Sequence, residues 1–209
     1  MRGIVIPARG GSKGLPLKNL RTVGGKPLVT RCVETVRQTG YRVIVSTDHE
    51  EIAKEARAAG AEVLPRPMEL ATDTTETWEV IRHAVASCKL ASVAYVQCTA
   101  PFVTAEDVHG CFHKIDNGYD LGLCVHASHA FLINGRGEAI NFKYPIPRRQ
   151  DFEPQFAISG SVWAAGYKYI RDKPLYHGRI GLVHSSFPLR LDIDTEADLY
   201  IANAVLRGL

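Results

Sequence analysis

The stretch GIVIPARGGSKGLPLKNL, residues 3–20, decides how this 209-residue chain folds. Residues 3–7 are apolar enough to form a short buried strand. The loop after them has glycine at positions 10, 11 and 14, and glycine lets a backbone approach a ligand closely because it has no Cβ. In open α/β sheets, ligands bind at the carboxyl ends of the strands. The stretch therefore predicts such a sheet, with the binding site in this loop.

Strands and helices alternate through most of the remaining chain. Pro27 marks the start of the first helix, and apolar residues recur at helical spacing until Gly40. β-branched residues predict a strand at 42–47, and Asp48 is placed to cap the helix after it. Thr104 and Thr195 are predicted to cap later helices, each with an aspartate three residues on. Further helices are predicted at about 75–88, 105–115 and 196–206, and further strands at 93–97, 121–125, 158–164 and 180–184.

This alternation predicts an α/β protein of three layers, α/β/α, with a mainly parallel, Rossmann-like sheet. The region from about 126 to 156, which we call the excursion, breaks the pattern with two glycines and three prolines. We predict that the excursion forms a lid or a dimer arm. No linker-like segment divides the chain, so residues 1–209 are expected to form a single domain.

Composition excludes several classes of protein. No apolar stretch approaches the roughly 18–20 residues of a membrane span, so no membrane contact is expected. The five cysteines are scattered, which is typical of reduced thiols in a cytoplasmic protein and not of a disulfide framework or a zinc site. The first 35 residues carry seven lysines or arginines and a single acid, a net charge of +6, whereas the remainder carries −3. This concentration favours a compact polyanionic ligand over a nucleic acid.

Generic motifs compete for the glycine loop. The GxxxxGK[ST] pattern of P-loop proteins is absent, and adjacent Gly10 and Gly11 do not fit the dinucleotide pattern GxGxxG. Residues 10–14 match the GxSxG of serine hydrolases, but Pro16 separates Ser12 from the first helix, where that motif needs a direct strand-to-helix turn. Arginine offers phosphate a fork of donors and lysine a compact charge. Arg9 and Lys18 are therefore predicted to bind a triphosphate and to stabilise the leaving pyrophosphate.

The same stretch, together with GKPL at 25–28, closely resembles the signature of CMP-sialic acid synthetases, the acylneuraminate cytidylyltransferases. That family includes the pseudaminate and legionaminate cytidylyltransferases and is similar to the ketodeoxyoctonate enzymes. Further matches follow in the family's order at 45–48, 66–73, 148–151 and 192–198. The resemblance implies a cytoplasmic, homodimeric nucleotidyltransferase that couples CTP to an acidic 2-keto sugar, with Mg²⁺ as cofactor, to give a CMP-sugar and pyrophosphate.

The resemblance also implies roles for individual residues. Those expected to act in catalysis are Arg9, Lys18 and Asp192. Those expected to bind the nucleotide are Ala8, Arg9, Gly10, Gly11, Ser12, Lys18, Asn19, Arg66 and Gln97. Those expected to bind the acceptor are Gln97, Lys143, Arg148, Arg149 and Gln150. Asp192 and Asp194 lie two apart, so an extended segment places both on one face, and paired carboxylates beside a triphosphate suit Mg²⁺.

The chain departs from the family where the acceptor is expected. Residues 97–103 read QCTAPFV where members usually have QPTSPLR, and residues 159–163 (SGSVW) lack the asparagine of an NGAIY-like element. The expected acceptor is a sialic acid or a related nonulosonic acid, with ketodeoxyoctonate or a phosphonate as alternatives. A catalytically inactive CTP-binding protein is a further alternative, but binding alone does not require both the phosphate-binding cations and the paired aspartates.

Overall fold

The structure is a computed structural model that describes residues 1–12, 14–153, 155–185 and 191–208, without the side chain of Arg149. Strands and helices alternate along these residues. The strands are β1 Arg2–Pro7, β2 Thr22–Val23, β3 Lys26–Pro27, β4 Arg42–Thr47, β5 Glu62–Pro65, β6 Ser92–Val96, β7 Leu121–Ser128, β8 Gln155–Gly166 and β9 Ile180–His184. The helices are α1 Leu28–Arg37, α2 Glu50–Ala58, α3 Thr77–Ser87, α4 Ala105–Asp116, α5 Tyr167–Asp172 and α6 Glu196–Gly208.

One large sheet carries seven of the described strands, in the order β5-β4-β1-β6-β8-β7-β9. The pairs β1–β4, β1–β6, β4–β5 and β7–β9 are parallel. Strand β8 runs antiparallel between β6 and β7, and β2 and β3 form a separate short ribbon. The predicted mainly parallel sheet is confirmed. The direction of β8 was not predicted, because the alternation of side chains along a strand is the same in both directions.

Helices cover both faces of this sheet. Ile4 and Ile6 of β1 pack towards α1, α2, α4 and α6, whereas Val5 packs towards α3 and α5. All three are fully buried, and burial of each such side chain contributes about 1.5–3 kcal/mol. Because both faces are covered, residues 3–7 of β1 form an apolar run without polar alternation. The predicted three-layer α/β/α architecture is confirmed. Among the described residues, each helix is too short or too polar to cross a membrane.

Two of the predicted helix caps are confirmed and one is wrong. Thr104 Oγ1 accepts from the Asp107 N–H at 3.2 Å, and the Asp107 carboxylate accepts from the Thr104 N–H at 2.9 Å. Thr195 and Asp198 form the same reciprocal pair at the start of α6. Asp48 does not cap α2, which begins after His49 without a side-chain cap. Its carboxylate instead accepts from a backbone N–H of the glycine loop.

The excursion is shorter and more ordered than predicted, since β7 continues to Ser128 and β8 begins at Gln155. Between the strands, the ring of Phe131 packs against those of Phe142 and Phe152, with centroids 5.3 and 5.1 Å apart. These rings give the excursion a small apolar centre of its own. Its role as a lid or dimer arm stays a prediction, as does the single-domain organisation.

Candidate active site

A cavity of about 630 Å³ opens where β1, β5 and β6 end. The strand order reverses at this place, because β4 and β5 lie on one side of β1 and β6 on the other. Ligands of open α/β sheets bind at such a reversal. Six residues predicted to bind the nucleotide lie in the cavity wall: Arg9, Ser12, Lys18, Asn19, Arg66 and Gln97.

The glycine loop is clamped between two neighbouring segments. The Gly10 N–H donates to Asp48 Oδ1 at 3.0 Å, and a Cβ on Gly10 would lie 2.7 Å from Cδ2 of the His49 ring. A Cβ on Gly14 would lie 2.9 Å from the Asp194 carbonyl oxygen. Both approaches are closer than a side chain tolerates, so these two glycines are needed for the loop to pack.

The backbone at the start of the loop also bonds to the neighbouring strand β4. Ala8 is fully buried, and its N–H donates to Ser46 O at 2.9 Å. In the described part of the chain, Ala8, Gly10 and Gly11 do not line the cavity, whereas other loop residues do. Contact of these three residues with a nucleotide therefore stays a prediction.

Arg9 and Lys18 of the glycine loop each contact a carboxylate. Arg9 donates to Thr72 O at 2.8 Å and forms an ion pair with Asp73 at 3.0 Å. Lys18 Nζ donates to Asp194 Oδ1 at 2.7 Å. Within the described part of the loop, Arg9 and Lys18 thus place two positive charges in the cavity wall, and their binding of a triphosphate stays a prediction.

Asn19 and Arg66 are both buried in the cavity wall. The Asn19 amide donates to Arg9 O at 2.9 Å and so fixes the loop beside Arg9. Arg66 donates to the Ser46 carbonyl at 2.7 Å and to the Ser46 hydroxyl at 3.2 Å. Burial, opposed by Asp48, lowers the pKa of the Arg66 guanidinium to about 10. The side chain remains cationic at neutral pH, and its protein contacts hold it still.

Asp192 is held by two side chains at the end of β6. Gln97 Nε2 donates to Asp192 Oδ2 at 2.6 Å, and the Thr99 hydroxyl donates to Asp192 Oδ1 at 2.5 Å. The Ile193 N–H also donates to Thr99 O at 2.9 Å, which ties the segment to this strand end. Burial raises the pKa of Asp192, and the charge of Asp194 adds to this effect, against the opposing contacts with Thr99, Lys18 and Gln97.

The predicted acceptor ligands of the excursion do not reach the cavity. Lys143, Arg148 and Gln150 are exposed, and Arg148 pairs with Asp151 at 2.6 Å. The described cavity wall contains none of these three residues, and the side chain of Arg149 lies outside the described part of the chain. Their role in acceptor binding stays a prediction.

The residues that line the cavity without having been predicted to act there include Asp73, Tyr95 and Thr99. Asp73 lies in a matched motif at 66–73, but its pairing with Arg9 spans a long separation in sequence. Tyr95 reads as an ordinary strand residue, although it lines the cavity. Thr99 lies in the altered motif at 97–103, which was the only signal in the sequence for its position.

Comparisons with known proteins identify the family of this chain. A sequence profile of the cytidylyltransferase family matches residues 4–140. N-acylneuraminate cytidylyltransferase A of Danio rerio is 31% identical over 210 residues, which cover 95% of this chain and 49% of the relative. The N-acylneuraminate cytidylyltransferase of Streptococcus agalactiae serotype V is 26% identical over 208 residues, which cover 93% and 50%. The chain thus spans about half the length of these relatives.

A solved structure shares the fold. The CMP:2-keto-3-deoxy-manno-octonic acid synthetase, solved in complex with CTP, matches with a TM-score of 0.76 at 21% identity, covering 99% of this chain and 98% of the other. At that identity the likeness concerns the fold alone. The family profile, in contrast, spans the glycine loop, Arg66 and Gln97. The resemblance and the nucleotidyltransferase class predicted from the motifs are confirmed, and this chain belongs to the cytidylyltransferase family.

Proposed function

We propose that this protein transfers the cytidylyl group of CTP to the anomeric hydroxyl of an acidic 2-keto sugar and releases pyrophosphate. The observation that carries the proposal is the contact between Lys18 and Asp194, which are 176 positions apart and meet at 2.7 Å in the cavity wall. A cation that would bind phosphate and a carboxylate that would hold a metal therefore share one site, and Asp192 is hydrogen-bonded to Gln97 and Thr99 of the same cavity wall. The names of the two relatives support a sialic acid or a related nonulosonic acid as the acceptor.

Arg9 and Lys18 would bind the triphosphate. Each exchanges its present carboxylate partner for phosphate oxygens, where charge-assisted hydrogen bonds are stronger. As the bond between the α-phosphorus and the bridging oxygen breaks, negative charge builds up on the pyrophosphate, and both cations are already in place to stabilise it. Arg66, held rigidly against Ser46, would contact the cytidine.

Asp192 and Asp194 would hold Mg²⁺. Their carboxylate oxygens are the donors that this ion prefers, and phosphates and waters usually complete its coordination shell. Burial raises the pKa of Asp192 and the charge of Asp194 adds to this effect, so a cation beside both carboxylates would favour their charged forms. When bound, Mg²⁺ neutralises phosphate charge and orients the triphosphate. The hydroxyl of the acceptor attacks the α-phosphorus, and we assign its proton to Asp192.

A pyrophosphate-release assay tests the proposal. Purified protein, CTP and Mg²⁺ are combined with a panel of sialic acid, other nonulosonic acids, ketodeoxyoctonate and phosphonates. Release with a nonulosonic acid is expected, and the variants Asp192→Asn and Asp194→Asn should reduce it by about 100-fold or more. Release only with ketodeoxyoctonate or a phosphonate refutes the acceptor class. Intact CTP binding without release across the panel shows a binding protein.

A further inference from the structure

A chain of hydrogen bonds connects Tyr95, in the sheet, to the carboxylate of Asp192. The Tyr95 hydroxyl donates to Gln97 Oε1 at 3.1 Å. Gln97 Nε2 donates both to Asp192 Oδ2 at 2.6 Å and to the Thr99 hydroxyl at 3.1 Å. The Thr99 hydroxyl in turn donates to Asp192 Oδ1 at 2.5 Å. We call Tyr95, Gln97 and Thr99 the Asp192 brace.

The brace uses all the hydrogen-bonding hydrogens of the Gln97 amide. An amide nitrogen has two hydrogens, and here one bonds to Asp192 and the other to Thr99. The resemblance to the family predicts that Gln97 faces the nucleotide or the acceptor. In this arrangement Gln97 has no N–H left for either ligand, so its contact is with Asp192. With its N–H groups towards Asp192 and Thr99, the Gln97 amide would leave Oε1 without a donor, but the Tyr95 hydroxyl donates to Oε1 on the other side.

Tyr95 is suited to orient a neighbour because it is itself immobile. It is 9% exposed, and its ring stacks on that of Trp163 at 5.3 Å and 15°. The two residues are also direct partners in the register between β6 and β8. Burial raises the pKa of the Tyr95 hydroxyl far above neutral pH, so the group remains a donor. Its position is set by two strands and a ring stack, and not by a flexible loop.

We propose that Tyr95 is a positioning residue, whose hydroxyl orients the Gln97 amide so that Gln97 and Thr99, which line the cavity, hold the Asp192 carboxylate directly behind them. The role of Asp192 in transfer rests on the proposed function. The hydrogen-bond brace itself does not, because its bonds join only side chains of this protein. The two parts can therefore be tested separately.

The first test measures thermal unfolding of the ligand-free protein. Tyr95→Phe removes only the hydroxyl and should lower the melting temperature by about 2–4 °C, the effect of one buried hydrogen bond in a chain of this size. In a Gln97→Ala background the same change should lower it no further, because residues that act through one another are not additive. Tyr169→Phe is the matched control, since the Tyr169 hydroxyl bonds Pro174 O and the His177 N–H in the same aromatic cluster. Its effect should add to that of Gln97→Ala.

The second test separates binding from turnover. Tyr95→Phe should lower kcat by roughly 10-fold to 100-fold, as expected of a misplaced catalytic group. The Kd for CTP, measured by calorimetry without acceptor, should stay within about twofold, a small change in binding free energy. In the Gln97→Ala background, Tyr95→Phe should leave kcat unchanged. Tyr169→Phe should leave kcat at the wild-type value.

Opposite results overturn the proposal. A further loss of melting temperature or of kcat on adding Tyr95→Phe to Gln97→Ala shows that Tyr95 acts directly, by contacting the ligand or by packing. If the wild-type protein transfers cytidylyl to no acceptor, the proposed function fails, and the melting temperatures alone still decide whether Tyr95 acts through Gln97.

Discussion

Replacing Lys18 by methionine should weaken CTP binding far more than it weakens the fold. The Lys18 side chain is 18% exposed and pairs with Asp194, which is 67% exposed. Because solvent screens the carboxylate, the pair contributes only about 0–1 kcal/mol to stability, or a melting shift of about 0–4 °C. Charge-assisted hydrogen bonds to a triphosphate contribute about 1.5–3 kcal/mol. Their loss raises the Kd for CTP by roughly 10-fold to 100-fold, which calorimetric titration measures directly.

Lys26→Met is the matched control for this experiment. Lys26 belongs to the same basic N-terminal segment, is 53% exposed and pairs with Glu34 at 2.6 Å. It lies outside the described cavity wall. Its replacement removes the same charge and should change the Kd by about twofold or less at physiological salt, where exposed charges beyond about 8 Å are screened. A Kd of Lys18→Met close to the wild-type value, or equal losses in both variants, would refute the reasoning.

Three further predictions concern the loop, the last helix and the metal. Gly14→Ala should lower the melting temperature because its Cβ meets the Asp194 carbonyl, whereas Gly11→Ala, with open space around it, should not; equal melting temperatures would contradict the packing. Hydrogen bonds from the Thr195 hydroxyl and from the backbone N–H groups of Asp194 and Thr195 lower the pKa of Asp198. The stability that this carboxylate contributes is therefore fully present above its ordinary pKa, and it is lost as the pH falls through the lowered pKa of the folded protein. Asp198→Asn should therefore melt about 2–4 °C lower at pH 7 and equal the wild type in strong acid, as checked by melts at both pH values. EDTA should stop pyrophosphate release and added Mg²⁺ restore it; full turnover in EDTA would exclude the metal.

Much of the fold was predictable because its signals are local. The apolar run at 3–7, the β-branched run at 42–47 and the threonine caps act within a few residues of one another, and each produced the predicted element. Weaker local signals failed. Strand β5 has only four residues, of which two are exposed and two partly buried, and α5 follows β8 without a break. Both elements are too short to show the repeat of apolar residues from which a strand or a helix is predicted.

The candidate site also has a part that was predictable from local sequence and a part that was not. Arg9, Ser12, Lys18 and Asn19 are close in sequence, so a single loop brings them to one cavity. Asp48 shows where prediction from sequence ends. From the sequence alone, its carboxylate could either cap the next helix or contact the glycine loop. The packing of β4 beside β1 favours the contact with Gly10.

By itself, the sequence determined the layered α/β architecture, the position of the glycine loop at the end of β1 and the family, since all three depend on patterns and motifs within short stretches. Only the tertiary structure decided which carboxylate faces which cation, and that Tyr95 supports Gln97 and Asp192. Such contacts join residues as far apart as Lys18 and Asp194. Their geometry depends on strand order and packing, which the chemistry of the separate segments leaves open.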